Sequence, residues 1–211
     1  DKPDGSVRLI LDLSSPRGDS VNEGISQEEF ACTYVKFDDA LEMVRAAGRG
    51  AWMAKADIKH AFRLCPVKPE LWHLLRFRWE NSFYVDLVLP FGGRSSPSIF
   101  NRVAGLWAWI FVHVGGIAFL LHYLDDYFFL DRSETRCQGH LNSFTSLADY
   151  MGVPLATEKV EGPAQQLVFL GILIDSVGLT ASLPEEKLKK LKNLLAVWLL
   201  KKKATKRELL S

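Results

Sequence analysis

Three aspartates have the side-chain type and the surroundings that metal-assisted phosphoryl transfer requires. Asp125 and Asp126 are adjacent within the otherwise apolar segment 122–130, and Asp57 stands near the end of a second apolar segment, 52–58. Two-metal phosphoryl transfer uses ions about 3.5–4 Å apart, and carboxylates are oxygen ligands that suit Mg²⁺. Clustered carboxylates repel one another, and a cation removes that repulsion. A polar turn between two buried strands is the alternative interpretation of the acidic pair.

The sequence around these aspartates predicts the strands that would hold them. Residues 52–58 are predicted to form a strand with Asp57 near its end. Residues 117–123 and 127–131 are β-rich, and the acidic pair between them occupies the position of a tight hairpin turn. Adjacent side chains alternate in direction, so only one of the pair points fully inward. Asp57, on a neighbouring strand, would complete the set of ligands.

Helices are predicted on either side of these strands. Apolar spacing indicates one helix from Asp38 to Gly48 and another that starts at Ser95-Ser96-Pro97, with a hydroxyl cap, and stops at Gly115. A third helix is predicted over 141–151. The last begins at Pro184 and carries four apolar residues on one face: Leu188, Leu191, Leu195 and Trp198.

Short strands complete the predicted layout. Asp4-Gly5 is a hairpin signal from which a strand runs through residues 7–13. Strand pairs are also predicted at 73–79 with 83–88 and at 166–174 around Gly171. Helices interleaved with antiparallel hairpins indicate an α+β fold.

Composition and charge narrow the class of protein. The chain has 211 residues, of which 48% are hydrophobic and 24% charged, so a folded domain is expected. Residues 185–211 contain nine basic and three acidic side chains, a net +6, which leaves −5 for residues 1–184 against the total of +1. Such a tail can contact a polyanion, although a solvated helix face explains it about equally well.

Cysteine usage and hydropathy suggest an intracellular protein. Cys32, Cys65 and Cys137 are widely spaced, which argues against both a disulfide framework and a zinc site. The longest apolar stretch, 106–124, contains histidines and a Gly-Gly pair, so we expect buried core and no membrane partner. The abrupt start and the basic end suggest a piece of a longer polyprotein or enzyme.

Five segments resemble the characteristic motifs of reverse transcriptases, in the family's order. Tyr123-Leu124-Asp125-Asp126 resembles the Tyr-x-Asp-Asp box. The others are the fingers hairpin at 2–8, the first palm motif at 55–62, the Leu-Pro-Phe-Gly block at 89–100 and the primer-grip turn at Phe169-Leu170-Gly171. Any one motif is weak, but five in order span nearly the whole chain. The tail from Leu183 resembles retrotransposons of the DIRS-like, tyrosine-recombinase class.

The resemblance implies a fold and an activity. The expected fold is a right-hand polymerase palm, with an antiparallel sheet packed on helices, partial fingers and the base of the thumb. Residues 1–182 would form fingers and palm, and 183–211 the start of the thumb. The implied activity is RNA-directed DNA polymerase, which extends a primer on an RNA or DNA template with deoxynucleoside triphosphates. Two Mg²⁺ ions would be required, and Mn²⁺ could substitute.

The resemblance also implies roles for individual residues. Asp57 and Asp125 would be the main metal ligands, with Asp126 assisting, and Lys159 would protonate the leaving pyrophosphate. The residues expected to bind the nucleotide are Lys2, Arg8, Phe62, Phe91, Arg94 and Tyr123. Among these, Phe62 would exclude a 2′ hydroxyl. Many viral relatives have glutamine at the position of Phe91. The hydrogen-bonding role of that glutamine therefore does not transfer to this chain.

The primer and template are expected to meet two segments. By the resemblance, Phe169, Leu170 and Gly171 contact the primer. Lys189, Lys190 and Lys192 would face the phosphates while the leucine face of the last helix packs inward. A catalytically silent, domesticated scaffold that binds nucleic acid is the main alternative, which the three aspartates disfavour. A primer-dependent RNA polymerase is the second, which the bulk of Phe62 disfavours.

Overall fold

The computed structural model describes residues 9–209, apart from the side chains of Arg207 and Leu209. The α-helices are α1 (Phe37–Ala47), α2 (Ser96–His113), α3 (Glu134–Tyr150), α4 (Glu185–Leu199) and α5 (Lys206–Leu209). The strands are β1 (Trp52–Asp57), β2 (Arg76–Trp79), β3 (Ser82–Val85), β4 (Phe119–Tyr123), β5 (Asp126–Asp131), β6 (Glu161–Ala164), β7 (Gln166–Phe169), β8 (Ile172–Asp175) and β9 (Thr180–Ser182). Three 3₁₀ turns lie at Ala61–Leu64, Pro69–Leu75 and Thr157–Lys159.

A four-stranded antiparallel sheet forms the centre of the molecule, with the strand order β4-β5-β1-β6. Separate from it are the β2–β3 hairpin and a three-stranded sheet of β7, β8 and β9. This is the mixed α and β architecture with antiparallel sheets packed on helices that the sequence predicts. No helix among residues 9–209 is both long enough and apolar enough to cross a bilayer.

Strand alternation divides the central sheet into two faces. Ala54, Ala56, Tyr127 and Phe129 belong to one buried cluster, in which Phe144 of α3 also lies. Phe144 stacks on Phe129 at 5.4 Å between ring centroids. Helices α2 and α3 therefore cover this face, and the aromatic side chains fill the space between sheet and helices.

The opposite face packs against α1 and the small sheet. Met53, Phe128 and Leu130 share a second buried cluster with Val44 of α1 and Phe169 of β7. Since alternate residues of a strand share a face, Lys55 and Asp57 of β1 and Asp126 of β5 lie on this side. Their polar groups are thus on the face that the β7–β8 hairpin approaches.

Most predicted elements are present, with local differences, one of which is that residues 73–75 of the predicted strand 73–79 belong to the 3₁₀ turn Pro69–Leu75. Residues 9–13 are irregular and not a strand, because Leu11 N–H donates to the Phe91 carbonyl and not to a strand partner. Ser95 precedes α2 without a side-chain cap; Ser96 is buried and donates its hydroxyl to the Pro90 carbonyl. Helix α3 begins at Glu134, seven residues before the predicted start at Leu141, because Ser133 accepts a capping bond from Arg136 N–H.

The expectation that the leucine face of α4 packs inward is wrong for the described residues. No residue of α4 is buried, and the exposed fractions of Leu188 and Leu195 are 37% and 52%. The amphipathic pattern correctly predicts a helix, but the described part of the chain supplies no surface that covers its apolar face.

Candidate active site

The three aspartates meet at one end of the central sheet. Asp57 and Asp126 are directly paired across β1 and β5, and Ile58 N–H donates to the Asp125 carbonyl at 2.9 Å. Asp125 lies in the β4–β5 turn, where Leu124 has a left-handed φ of 53°. The antiparallel register thus brings Asp57 beside residues nearly seventy positions away in sequence.

A cavity of about 470 Å³ lies over these carboxylates. Its walls are the three aspartates, three lysines and the turn between β7 and β8, namely Lys55, Asp57, Asp125, Asp126, Lys159, Val168, Phe169, Leu170, Gly171 and Lys187. Lysines and aspartates are therefore equal in number around a concave space large enough for a small charged ligand.

The pKa of Asp126 reflects both its burial and the neighbouring carboxylates. Burial, followed by the charges of Asp125 and Asp57 and a hydrogen bond with Asp57, raises the pKa of Asp126 to about 7. Lys159 acts in the opposite direction but is the smallest of these effects. In the absence of a cation the site therefore retains a proton on Asp126 up to near-neutral pH.

Lys159 is the counter-ion of Asp57. Its Nζ donates to Asp57 Oδ2 at 2.7 Å, across 102 positions in sequence. That hydrogen bond, with the charges of Asp57, Asp126 and Asp125, raises the pKa of Lys159 above its usual value despite partial desolvation. Lys159 is consequently a protonated ammonium at neutral pH, held at the edge of the carboxylate group.

Carboxylate oxygens are suitable ligands for a divalent cation, but those of the three aspartates do not form a complete coordination site in this structure. Within residues 9–209, no three His, Cys, Asp or Glu side chains form a compact set of metal ligands. Asp57 Oδ2 is engaged by Lys159 Nζ, which takes one position that a metal would use. A hard cation would satisfy three carboxylate side chains and remove the repulsion that raises the pKa of Asp126.

Phe62 and Phe91 form a continuous aromatic surface beside β1. Phe62 lies in the 3₁₀ turn that follows β1, and its ring is 5.1 Å from Phe91 and 5.6 Å from Phe100 between centroids. Phe62 and Phe91 are half-buried, whereas Phe100 is fully buried in α2. The Leu-Pro-Phe-Gly block and the first palm motif therefore meet in space.

Two other predicted nucleotide-binding residues, Arg94 and Tyr123, do not line the carboxylate cavity. Arg94 is exposed, and its guanidinium donates to the Ile25 carbonyl at 2.9 Å. Tyr123 packs its ring on Tyr34 at 5.1 Å. Lys2 and Arg8 lie outside the described residues. Among the described members of this predicted group, Phe62 and Phe91 pack against each other.

The primer-grip turn borders the cavity, but the three predicted lysines of α4 do not. Phe169 is buried and stacks on Phe128 at 4.9 Å, and it lines the cavity together with Leu170 and Gly171. Lys189, Lys190 and Lys192 are exposed along α4. The α4 lysine at the cavity is Lys187, whose Nζ donates to the Gly171 carbonyl at 3.1 Å.

Sequence reasoning missed Lys55 and Lys187 as residues of the site. Lys55 could have been found, because it precedes Asp57 by two positions in a strand and must share its face. Lys187 gave no such signal, since its contact depends on where α4 begins relative to the β7–β8 turn.

The fold and the carboxylate hairpin define a polymerase palm. The family model described as reverse transcriptase (RNA-dependent DNA polymerase) matches residues 1–174. The chain belongs to this reverse transcriptase family.

Viral proteins are among those similar to this chain. Polyprotein P3 of Commelina yellow mottle virus is 26% identical over 129 residues, which are 61% of this chain and 7% of the polyprotein. A foamy viral protease–reverse transcriptase with double-stranded DNA superposes with a TM-score of 0.76 at 20% identity, over 99% of this chain and 33% of that one. The same viral enzyme with an RNA/DNA hybrid superposes with a TM-score of 0.60 at 19% identity. This match covers 73% of this chain and 20% of that one. The chain thus spans a third or less of these relatives.

Proposed function

We propose that this chain is the catalytic fingers–palm part of an RNA-directed DNA polymerase of a retrotransposon. The observation that carries the proposal is the meeting of Asp57, Asp125 and Asp126 in one cavity at the turn of the β4–β5 hairpin. An arrangement that raises the pKa of Asp126 to about 7 through burial and like charge is costly to the fold, which favours a functional explanation over a structural one.

Asp57, Asp125 and Asp126 would hold two Mg²⁺ ions, or Mn²⁺ in their place. When bound, the ions would activate the primer's 3′ hydroxyl and stabilise charge on the leaving pyrophosphate. The hairpin turn and the β1–β5 pairing supply the rigidity that such ligands need, because both strands are fixed by the central sheet.

Lys159 would act as the general acid. It is a protonated ammonium whose raised pKa comes first from its hydrogen bond to Asp57, and it lines the carboxylate cavity. From this position its Nζ could donate a proton to the leaving pyrophosphate.

The aromatic pair Phe62 and Phe91 would form the sugar-facing wall of the nucleotide site. Phe62 would reject a 2′ hydroxyl by contact, and Phe91 supports its ring at 5.1 Å. Arg94, Tyr123, Lys2 and Arg8 remain proposals for the same site. Of these, Arg94 would have to leave the Ile25 carbonyl before it could reach a nucleotide.

The primer and template would cross the cavity toward α4. Residues 1–182 would make up fingers and palm, and 183–211 the first part of the thumb, with Lys189, Lys190 and Lys192 near phosphates. The foamy viral relative is described with double-stranded DNA and with an RNA/DNA hybrid, which supports such partners here. The free thiols Cys32, Cys65 and Cys137 suit an intracellular setting.

A primer-extension assay tests the proposal. The chain is mixed with a DNA primer on an RNA template, Mg²⁺ or Mn²⁺, and either deoxynucleotides or ribonucleotides. We expect extension with deoxynucleotides only. The Asp125→Asn, Asp126→Asn double variant should lose at least ~10³-fold in rate, because the cations supply several kcal/mol of transition-state stabilisation.

The matched control is Glu28→Gln with Glu29→Gln, an adjacent acidic pair that is exposed on a loop. It should extend primers like the wild type. A wild-type chain that binds primer–template but never extends it would instead support the silent scaffold, and equal use of ribonucleotides would support the RNA polymerase.

A further inference from the structure

The firmest junction between the small β7–β8–β9 sheet and the central sheet lies far from the carboxylates. At the start of β1, Gly50 N–H donates to the Ser176 carbonyl and the Ser176 hydroxyl donates to the Ala51 carbonyl. Gln165 Nε2 also donates to the Gly50 carbonyl. These bonds fix the base of the β7–β8 hairpin, whereas its 169–171 turn lies at the other end, beside the aspartates.

At the end of the junction near the aspartates, Lys55 bridges the two sheets. Its Nζ donates to the Val168 carbonyl of β7 at 2.9 Å and pairs with Glu161 Oε1 of β6 at 2.8 Å. The side chain of Lys55 is only 21% exposed, while that of Glu161 is 53% exposed. Next to this bridge, Phe169 stacks on Phe128. Such an apolar contact is less directional than a hydrogen bond, so it fixes the position of the strand less strictly.

The Lys55 bridge lies closer to the aspartates than the hydrogen bonds at the base of the hairpin do. At about 3.3 Å per residue, Lys55 is about 13 Å from Ala51 and only about 7 Å from Asp57. It shares a face with Asp57, and both line the same cavity. Besides Lys55, a polar contact at the turn comes from Lys187 of the exposed helix α4, which donates to the Gly171 carbonyl. Without Lys55 the hairpin could therefore pivot about its base, and its turn would move the most.

We propose that Lys55 is a positioning residue that holds the 169–171 turn at a set distance from the carboxylates, and so aligns the primer end for reaction. The inference rests on the proposed function, because it takes the turn as the primer grip. Lys55 itself touches neither the primer nor the cations in this role; it acts through the Val168 carbonyl.

The consequence of losing this bond is misalignment. In Lys55→Met the stem is kept and the ammonium is lost, so the Val168 carbonyl loses that donor. We expect kcat to fall ~10–100-fold, because displacement of about 1 Å can cost that much. The nucleotide KM and the primer–template Kd should stay within about three-fold, since the aromatic wall and the α4 lysines are unchanged.

Three variants separate positioning from charge. Lys55→Arg keeps a donor that can reach a carbonyl, so it should restore kcat to within about five-fold of the wild type. Glu161→Gln removes only an exposed ion pair and should change kcat less than two-fold. Lys68→Met, at an exposed lysine outside the cavity, controls for loss of one positive charge.

Hydrogen–deuterium exchange supplies a measurement that does not depend on activity. In Lys55→Met, amides of residues 167–174 should exchange at least ~10-fold faster, while those of β4 and β5 keep their wild-type rates. Unchanged exchange in the hairpin, or a Lys55→Arg variant as slow in catalysis as Lys55→Met, would overturn the proposal. An inactive wild-type chain would overturn the proposed function alone, and exchange would then decide whether Lys55 fixes the hairpin.

Discussion

The β4–β5 hairpin and helix α4 both combine apolar side chains with charges, yet the structure treats them in opposite ways. In β5, Tyr127, Phe128, Phe129 and Leu130 are fully buried. In α4 no residue is buried, and its leucines remain exposed beside the lysines. Eight of the fifteen residues of α4 are apolar, so composition alone does not explain why none of them is buried.

The difference lies in the partners that the chain supplies. The hairpin has α2 and α3 on one face and α1 with the β7–β8 hairpin on the other, so its aspartates are held in a fixed, partly buried place. Among residues 9–209, α4 is attached at its start through Lys187 and the Gly171 carbonyl. Burial therefore fixes the position of the carboxylates, whereas exposure leaves the α4 lysines accessible from solvent.

The largest expected effect is a difference in the free energy of unfolding between variants of the β4–β5 hairpin and variants of α4. Phe129→Ala removes a fully buried ring that stacks on Phe144 and should lower the free energy of unfolding by about 3–5 kcal/mol. Leu195→Ala, on the exposed face of α4, should cost less than about 0.5 kcal/mol. Urea unfolding measures both. Similar costs for the two variants would mean that α4 is buried in solution.

The next effect concerns the charges of α4. Reversal of Lys189, Lys190 and Lys192 to Glu should weaken primer–template binding ~10–100-fold and reduce the salt slope by about 2–3, because three phosphate contacts are lost. Leu191→Gln with Leu195→Gln, on the same helix, should leave that slope unchanged. Fluorescence anisotropy across a salt titration checks this, and an unaltered affinity in the lysine variant would reject the role.

A smaller effect should appear in the pH dependence of the metal-free hairpin. The pKa of Asp126 is about 7 in the fold and near 3.8 in the unfolded chain, so the fold binds the proton more tightly. Stability should therefore fall as pH rises from about 4 to about 7. Because Asp126 is partly solvated, we expect a loss of only about 1–2 kcal/mol.

Asp126→Asn provides the comparison, since the amide does not titrate. Urea unfolding with a chelator should show a steeper decline for the wild type than for this variant between those pH values. Added Mg²⁺ should reduce the difference, because a cation offsets the carboxylate charge. Parallel pH profiles without metal would show that the fold does not raise the pKa of Asp126.

Much of this fold was predictable because its signals are local. Helix α1 and its stop at Gly48, strand β1, the β4–β5 hairpin and the β7–β8 turn at Gly171 all follow from apolar periodicity and turn residues. The motif order then predicted that Asp57 would lie beside Asp125 and Asp126.

What could not be predicted depends on distant contacts. The bond from Lys159 to Asp57 spans 102 positions, and that from Lys55 to the Val168 carbonyl spans 113. No periodicity encodes such pairs. Arg94 could equally have pointed toward a ligand, and only the fold reveals that it meets the Ile25 carbonyl. For α4, the pattern predicts a helix with an apolar face but does not tell which surface covers it.

We propose the joint binding of divalent cations by Asp57, Asp125 and Asp126. Anomalous diffraction from crystals soaked in Mn²⁺ tests it most directly, because the ion is located without reference to activity. An anomalous peak is expected within about 2.5 Å of carboxylate oxygens from all three aspartates, with Lys159 displaced from Asp57. A Mn²⁺ position that excludes Asp57, or no peak at the β4–β5 turn at saturating Mn²⁺, would contradict it.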